Sequence, residues 1–289
     1  MPAGGRPTVR SRRLGAALRQ YRQAAKLDQP QAAEVIAASQ ARISRLESGN
    51  VTARVIEVRL LLDAYGVKDP KVCAKLEELA KFSKKRGWWH EYAAHLRPGY
   101  LDHIMLEDDA SHIRQWHPVL IPGLLQTQAY ARAVITGGPA TLSPERIERL
   151  LEVRRRRQER IAEGGVKHSA IIWEAVIEHP LASIETHRDQ LSFLLEVGQR
   201  ENVTVQVLPF SAGSLVAAAD AFAAFSFDSE SAIEAVTMND VMSTSVLESP
   251  YDLEVYTSSF ALLCSSALSP EASAKLIRSK LETIEEGAS

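Results

Sequence analysis

Along the first third of the chain the hydrophobic positions recur every three to four residues, the period of an amphipathic helix. Leu14, Ala17, Leu18, Tyr21 and Ala25 share one face over Arg12–Ala25. Asp28 is placed to cap a second helix running to about Ile36. Pro30 sits in its first turn, where a missing N–H costs nothing. Ser39 caps a third helix from Gln40 to about Glu47, and Ser48-Gly49-Asn50 ends it, with Gly49 suited to the positive φ of a C-terminal cap. Val55–Tyr65, stopped by Gly66, predicts a fourth helix, and Lys71–Lys85 a charged fifth. Residues 1–11, polar and interrupted by Pro2, Gly4, Gly5 and Pro7, are expected to form a flexible basic arm.

Beyond Gly87 the pattern mixes both periods. Ile113–Ile121, limited by Pro118 and Pro122, contains a strand; Ser169–Trp173, Val203–Val207, Phe222–Phe227 and Ile233–Met238 predict four more. Helices are expected at Gln126–Thr136, from Ser143 to about Glu163, and at Ser183–Gln199, Tyr251–Leu263 and Pro270–Ile284. The expected fold is an all-α helix-turn-helix bundle of about five helices followed by an α+β domain. The expected divisions are the arm (1–11), the helix-turn-helix domain (12–68), a helical connector (69–87) and the α+β domain (88–284).

Length and composition change this picture little. A chain of 289 residues with 45% hydrophobic and 24% charged residues is ordinary for two folded domains. The longest apolar run, Ser258–Leu268, is too short for a membrane helix. No apolar stretch follows the N-terminal arginines, so no signal peptide is expected. Cys73 and Cys264, far apart, predict two reduced thiols and a cytoplasmic location.

Charge is more telling. The net charge of −2 divides into +10 over residues 1–86, with 18 basic and 8 acidic residues, and −12 over the remainder. A basic end of this kind suits nucleic acid, where cationic side chains displace counterions condensed on phosphate.

Two short helices joined at Ala37-Ala38 and flanked by two others form a helix-turn-helix pattern, in which the second short helix enters the major groove. Its outward positions, Gln40, Ala41, Ser44 and Arg45, are the candidate base readers, since Gln can pair bidentately with adenine and Arg with guanine. Ile43 and Leu46 point inward. Gln29, Arg42, Ser48, Asn50, Arg12 and Arg13 are candidate phosphate contacts, and Arg22 and Glu47 a candidate structural ion pair.

The strings Leu14-x3-Leu18-Arg19-x2-Arg22, Leu27-x-Gln29-x2-Ala32-Ala33 and Ser39-Gln40-Ala41-Arg42-Ile43-Ser44-Arg45-Leu46-Glu47-Ser48-Gly49 resemble the Xre, or phage-repressor-like, helix-turn-helix family. The resemblance implies base contacts for Gln40, Ala41, Ser44 and Arg45, phosphate contacts for Gln29 and Ser48, and an ion pair between Arg22 and Glu47. Two departures stand out: Ala37 replaces the turn glycine, at some cost in strain, and Asp28 replaces the usual Thr or Ser cap. Further on, Gly87-Trp88-Trp89-His90, Trp116-His117-Pro118 through Gln126-Thr127, Arg154-x2-Arg157-Gln158 and Asn202 through Phe210 resemble the actinobacterial group in which an Xre-type domain precedes a domain of unknown function, the WhiJ-type regulators of streptomycetes among them. That resemblance implies a transcriptional regulator, often encoded beside a small acidic partner protein. A homodimer on double-stranded DNA is expected.

In the second domain Trp88, Trp89, His90, Trp116 and His117 are candidates for a ligand or partner surface, or for packing at the domain junction. The run Arg154–Arg157 offers Arg154 and Arg157 to the same role; its alternative is a solvated helix paired with Glu152 and Glu159. Glu174 and Asp220 invite a metal-dependent nuclease reading, an enzyme alternative that no accompanying lysine supports. An antitoxin-like interaction protein with autoregulatory DNA binding is a further alternative. No G-x-S-x-G elbow, P-loop, dinucleotide fingerprint or zinc spacing is present, and no cofactor, metal or catalytic residue is expected.

Overall fold

Thr8 opens the first helix: its hydroxyl accepts the Ser11 N–H and α1 runs from Val9 to Ala24. The computed structural model describes residues 8–83, 87–138, 141–218, 220–227, 232–239 and 243–287. Within these, the chain divides into two compact units, residues 1–88 and 89–289.

In the first unit α1 is followed by α2 (Gln29–Val35), α3 (Gln40–Glu47), α4 (Val55–Ala64) and α5 (Pro70–Phe82). Asp28 and Gln31 close a reciprocal capping box at α2, and Ser39 caps α3 by accepting the Arg42 N–H. Leu14, Leu18, Ala32, Ile43, Leu46, Val58, Leu61 and Leu62 form one buried core. The expected basic arm is corrected in part. Val9, Arg10 and Ser11 are buried within α1, because Thr8 supplies a cap one turn earlier than the apolar period alone shows. Residues 1–7 of that arm, and residues 84–86 at the end of the expected fifth helix, lie outside the described residues.

The second unit is α+β. Its six-stranded sheet has the order β3-β2-β1-β4-β5-β6, with β1 (His112–His117), β2 (Lys167–Trp173) and β3 (Val203–Leu208) parallel. β4 (Phe222–Ser226), β5 (Ala235–Asn239) and β6 (Thr244–Leu247) continue it antiparallel. The helices are α6 (Pro98–Asp109), α7 (Gln128–Thr136), α8 (Pro144–Gln158), the short α9 (Glu174–Glu178), α10 (Ile184–Val197), α11 (Pro250–Ser266) and α12 (Pro270–Gly287). α6, α9 and β6 go beyond the elements expected from the sequence.

The sheet has two unlike faces, because successive side chains of a strand alternate. Trp116, Ile171, Phe222 and Val236 lie on one face and pack with Phe260 and Leu263 of α11. Gln115 and Thr237 lie on the other, where His103 of α6 meets Thr237 at 2.7 Å. The edge strand β3 is closed by the α11–α12 turn. Leu268 donates its N–H to the Val207 carbonyl, and Ser273 Oγ accepts the Val207 N–H.

Candidate functional site

The helix-turn-helix is held by one buried ion pair. Arg22 Nε donates to Glu47 Oε1 at 2.6 Å and Nη2 to Oε2 at 2.9 Å, which ties α1 to the end of α3. Arg22 Nη1 also donates to the Leu27 carbonyl, and Gln29 Nε2 donates to Glu47 Oε2 at 3.0 Å. Burial opposes the Glu47 charge, but the hydrogen bonds from Arg22 and Gln29 hold its pKa below the ordinary value. Two glycines let the backbones close up. A Cβ on Gly15 would stand 2.3 Å from the Leu46 carbonyl oxygen, and one on Gly49 (φ +72°) 2.8 Å from the Arg12 Cα. Ala37 takes φ +50° in the turn between α2 and α3, the left-handed conformation that glycine adopts without strain.

With that frame fixed, Ile43, Leu46 and Glu47 are buried, and Gln40, Ala41, Ser44 and Arg45 are exposed on the opposite face of α3. Arg45 Nε donates to the Ala41 carbonyl one turn back. The candidate phosphate contacts are placed less uniformly. Ser48 and Asn50 are exposed at the end of α3, the Ser48 hydroxyl donating to the Ser44 carbonyl and the Asn50 amide to the Ser48 hydroxyl. Arg12 and Arg13 are half-buried on α1. Gln29 spends its amide on Glu47. Arg42 is held by Glu57 through three hydrogen bonds of 2.7–3.2 Å, which fasten α3 to the first turn of α4. A guanidinium so engaged is a structural clamp before it is a phosphate ligand.

A family model described as "Helix-turn-helix domain" matches residues 13–74, and one described as "Domain of unknown function (DUF5753)" matches residues 100–279. The chain belongs to the DUF5753 family. It is a DNA-binding regulator by its helix-turn-helix, with the family's domain of unknown function behind it. No curated protein and no solved structure matches the chain.

The DUF5753 unit contains a cavity of about 390 Å³, in the range of small-molecule sites. α8 gives it one wall: Arg146, Leu150, Arg154 and Arg157 recur at helical spacing along a single stripe. β1 contributes Gln115 and His117, and α6 contributes Tyr100 and His103.

The four-arginine run divides by face. Arg155 pairs with Glu152 and Glu159, and Arg156 with Glu152 and Glu91, as a salt-bridged outer face. Arg157 is 4% exposed and grips Glu107 of α6 through two 2.6 Å hydrogen bonds, with its Nη1 donating to the Tyr100 hydroxyl. Burial disfavours the Glu107 carboxylate, but Arg157 and His103 outweigh it and hold its pKa well below the usual range. Arg154 donates through Nη1 to Gln126 Oε1, and Gln126 in turn donates to the Ile121 carbonyl. Among the described residues no carboxylate pairs with Arg154, and its Nε is buried without a hydrogen-bond partner. Burial, together with the Arg157 charge, pushes the Arg154 pKa down against the opposing pull of Tyr100 and, more weakly, Glu107.

Trp89 and Trp116 are corrected as surface candidates: both are buried, and Trp116, completely so, belongs to the core on the α11 face of the sheet. Trp88 is half-buried and His90 exposed on the same 3-10 turn, Trp88–Tyr92. His117 faces away from Trp116 and lines the cavity, because adjacent strand residues point to opposite faces. Burial, then repulsion from neighbouring His and Arg side chains, lowers its pKa to about 4. Tyr100, Glu107 and Gln115 were not singled out in the sequence. The available signals were Pro98 opening a helix and the alternation of Ile113, Gln115 and His117 along β1. Glu174 Oε2 accepts the Phe210 N–H, and Asp220 is exposed. Among the described residues no group of three His, Cys, Asp or Glu side chains is placed to hold a metal ion.

Proposed function

We propose that the chain is a sequence-specific transcription regulator. α3 reads base edges in the major groove, and a small ligand in the DUF5753 cavity sets the occupancy of the operator. The observation that carries the first half is the exposed face of α3. Gln40, Ser44 and Arg45 stand at the N-terminal and central turns of a helix whose opposite face is locked by Ile43, Leu46 and the Arg22–Glu47 pair. Arg45 is the guanine-reading candidate and Gln40 the adenine-reading one. Ser48, Asn50, Arg12 and Arg13 flank them as phosphate contacts, whereas Arg42 acts on DNA only through the position it gives α3. A homodimer on two half-sites about 34 Å apart is the assembly that fits such a reader. The cavity supports a small ligand over a protein partner as the input, because its polar groups turn inward.

Fluorescence anisotropy with the DNA upstream of the gene, with random duplex as competitor and over a salt series, tests this reading. Specific binding resists the competitor and weakens steeply with salt. Equal affinity for both duplexes would remove sequence-specific reading at that operator.

A further inference from the structure

Among the described residues, the cavity in the α+β unit carries a positive charge with no paired carboxylate. Four arginines line it; Arg97 and Arg146 are exposed, and of the two less exposed, Arg157 has its counter-ion in Glu107 and Arg154 has a neutral carboxamide, Gln126. Among the described residues that line the cavity none is acidic. Gln115, 2% exposed, turns its carboxamide oxygen to His168 Nε2 at 2.8 Å. Its amino group is thereby left to the cavity, with no partner among the described residues. His117 adds a ring with no hydrogen-bond partner among the described residues. The lining also has apolar side chains: Val134 and Ile135 of α7, Leu142, and Leu150 of α8.

Removing a charged guanidinium from water without a counter-ion is costly, and the cost falls when an anion arrives. Arg154 is also prevented from rotating toward bulk solvent, because Gln126 is itself anchored to the Ile121 carbonyl at 2.7 Å. We infer that the cavity binds a small organic anion, its carboxylate or phosphate head on Arg154 and the Gln115 amide, its apolar body against Val134, Ile135 and Leu142. Arg157 positions Tyr100 and holds α6 to α8; it is not itself the anion's counter-charge, since Glu107 already occupies it.

This inference rests on the reading of the cavity as a ligand site, and the two are separable in one experiment. Isothermal titration calorimetry of the full chain uses sodium octanoate, octyl phosphate and octanol, three probes with one apolar chain and different heads. The expected result is 1:1 binding of at least one anion, with octanol weaker by about tenfold or more, the difference a charge-assisted hydrogen bond makes. The tighter of the two anions identifies the head as carboxylate or phosphate. Arg154→Met is expected to remove that preference, leaving octanol binding unchanged as an internal control on folding. Ile135→Trp, which fills the cavity from the half-buried face of α7 and leaves Arg154 in place, is expected to remove binding of all three. Octanol binding as tightly as either anion, or an anion preference that survives Arg154→Met, overturns the anion assignment while the ligand site stands. No binding by any probe overturns both.

Discussion

Arg157 and Glu107 meet through paired hydrogen bonds of 2.6 Å, Nε to Oε2 and Nη2 to Oε1, with side chains 5% and 1% exposed. The pair joins α8 to α6 across one end of the cavity, and His103 and Tyr100 complete its shell. Removing one partner leaves the other buried and charged. Glu107→Ala is therefore expected to cost about 3–5 kcal/mol, more than any exposed ion pair of the Arg155 or Arg156 kind. Urea denaturation near neutral pH measures it, and a midpoint equal to that of Glu152→Ala would contradict the account.

The first unit offers two substitutions of opposite sign. Gly15→Ala places a methyl 2.3 Å from the Leu46 carbonyl oxygen, against backbone that cannot swing aside, so α1 must move off α3. A loss of about 1–3 kcal/mol is expected. Ala37→Gly relieves a left-handed residue at φ +50° and gives back part of that gain as unfolded-state entropy, for a net rise of about 0.5–1 kcal/mol. Thermal melts of both variants check the pair of signs.

On DNA, Arg45→Ala is expected to cost about 1–3 kcal/mol and to relax the choice at one base pair. Arg42→Ala is expected to act differently: its partner Glu57 lies within the protein, so it lowers stability and weakens all sequences alike. Anisotropy against a set of singly substituted operators separates them. If both variants keep the original sequence preference, Arg45 is not a base reader.

Stability of the second unit should fall in mild acid. Burial first, then neighbouring positive charges, lowers the pKa of His112 to about 3, and burial lowers that of His168 to about 4; His117 also stands at about 4. An unfolded imidazole takes its proton near 6.5. Between these values the unfolded state binds more protons, by up to about three, so stability rises with pH there. The contribution is complete above about pH 6.5 and is lost as pH falls toward 4. Denaturation midpoints between about pH 7 and pH 5 should decline, and His168→Gln should flatten the decline.

The helix-turn-helix was legible in the sequence because its determinants are local. Caps at Asp28 and Ser39, the stop at Gly49 and the period that buries Ile43 and Leu46 all act within a few residues, and they leave Gln40, Ala41, Ser44 and Arg45 outward. The Arg22–Glu47 pair and the Arg155 pairs with Glu152 and Glu159 match the sequence expectation, but local signals did not place the partner of Arg42. Arg42 finds Glu57 only once α4 crosses α3, and the start of α1 depends on Thr8, a cap followed by the single apolar residue Val9 and then by four polar ones.

By itself the sequence determined the order of most elements and the division into a basic helical end and an acidic α+β body, since propensity, capping and charge are properties of short segments. Only the tertiary structure decided the cavity. Trp116 and His117 are neighbours in sequence, and the sheet sends one into the core and the other to the cavity. Arg154 and Arg157 sit one turn apart on α8. The approach of α6 neutralises Arg157 through Glu107, 50 residues away in sequence, and leaves Arg154 with its charge facing the cavity. Which of two charged arginines finds a counter-ion is a question of long-range packing, and no periodicity within the run contains the answer.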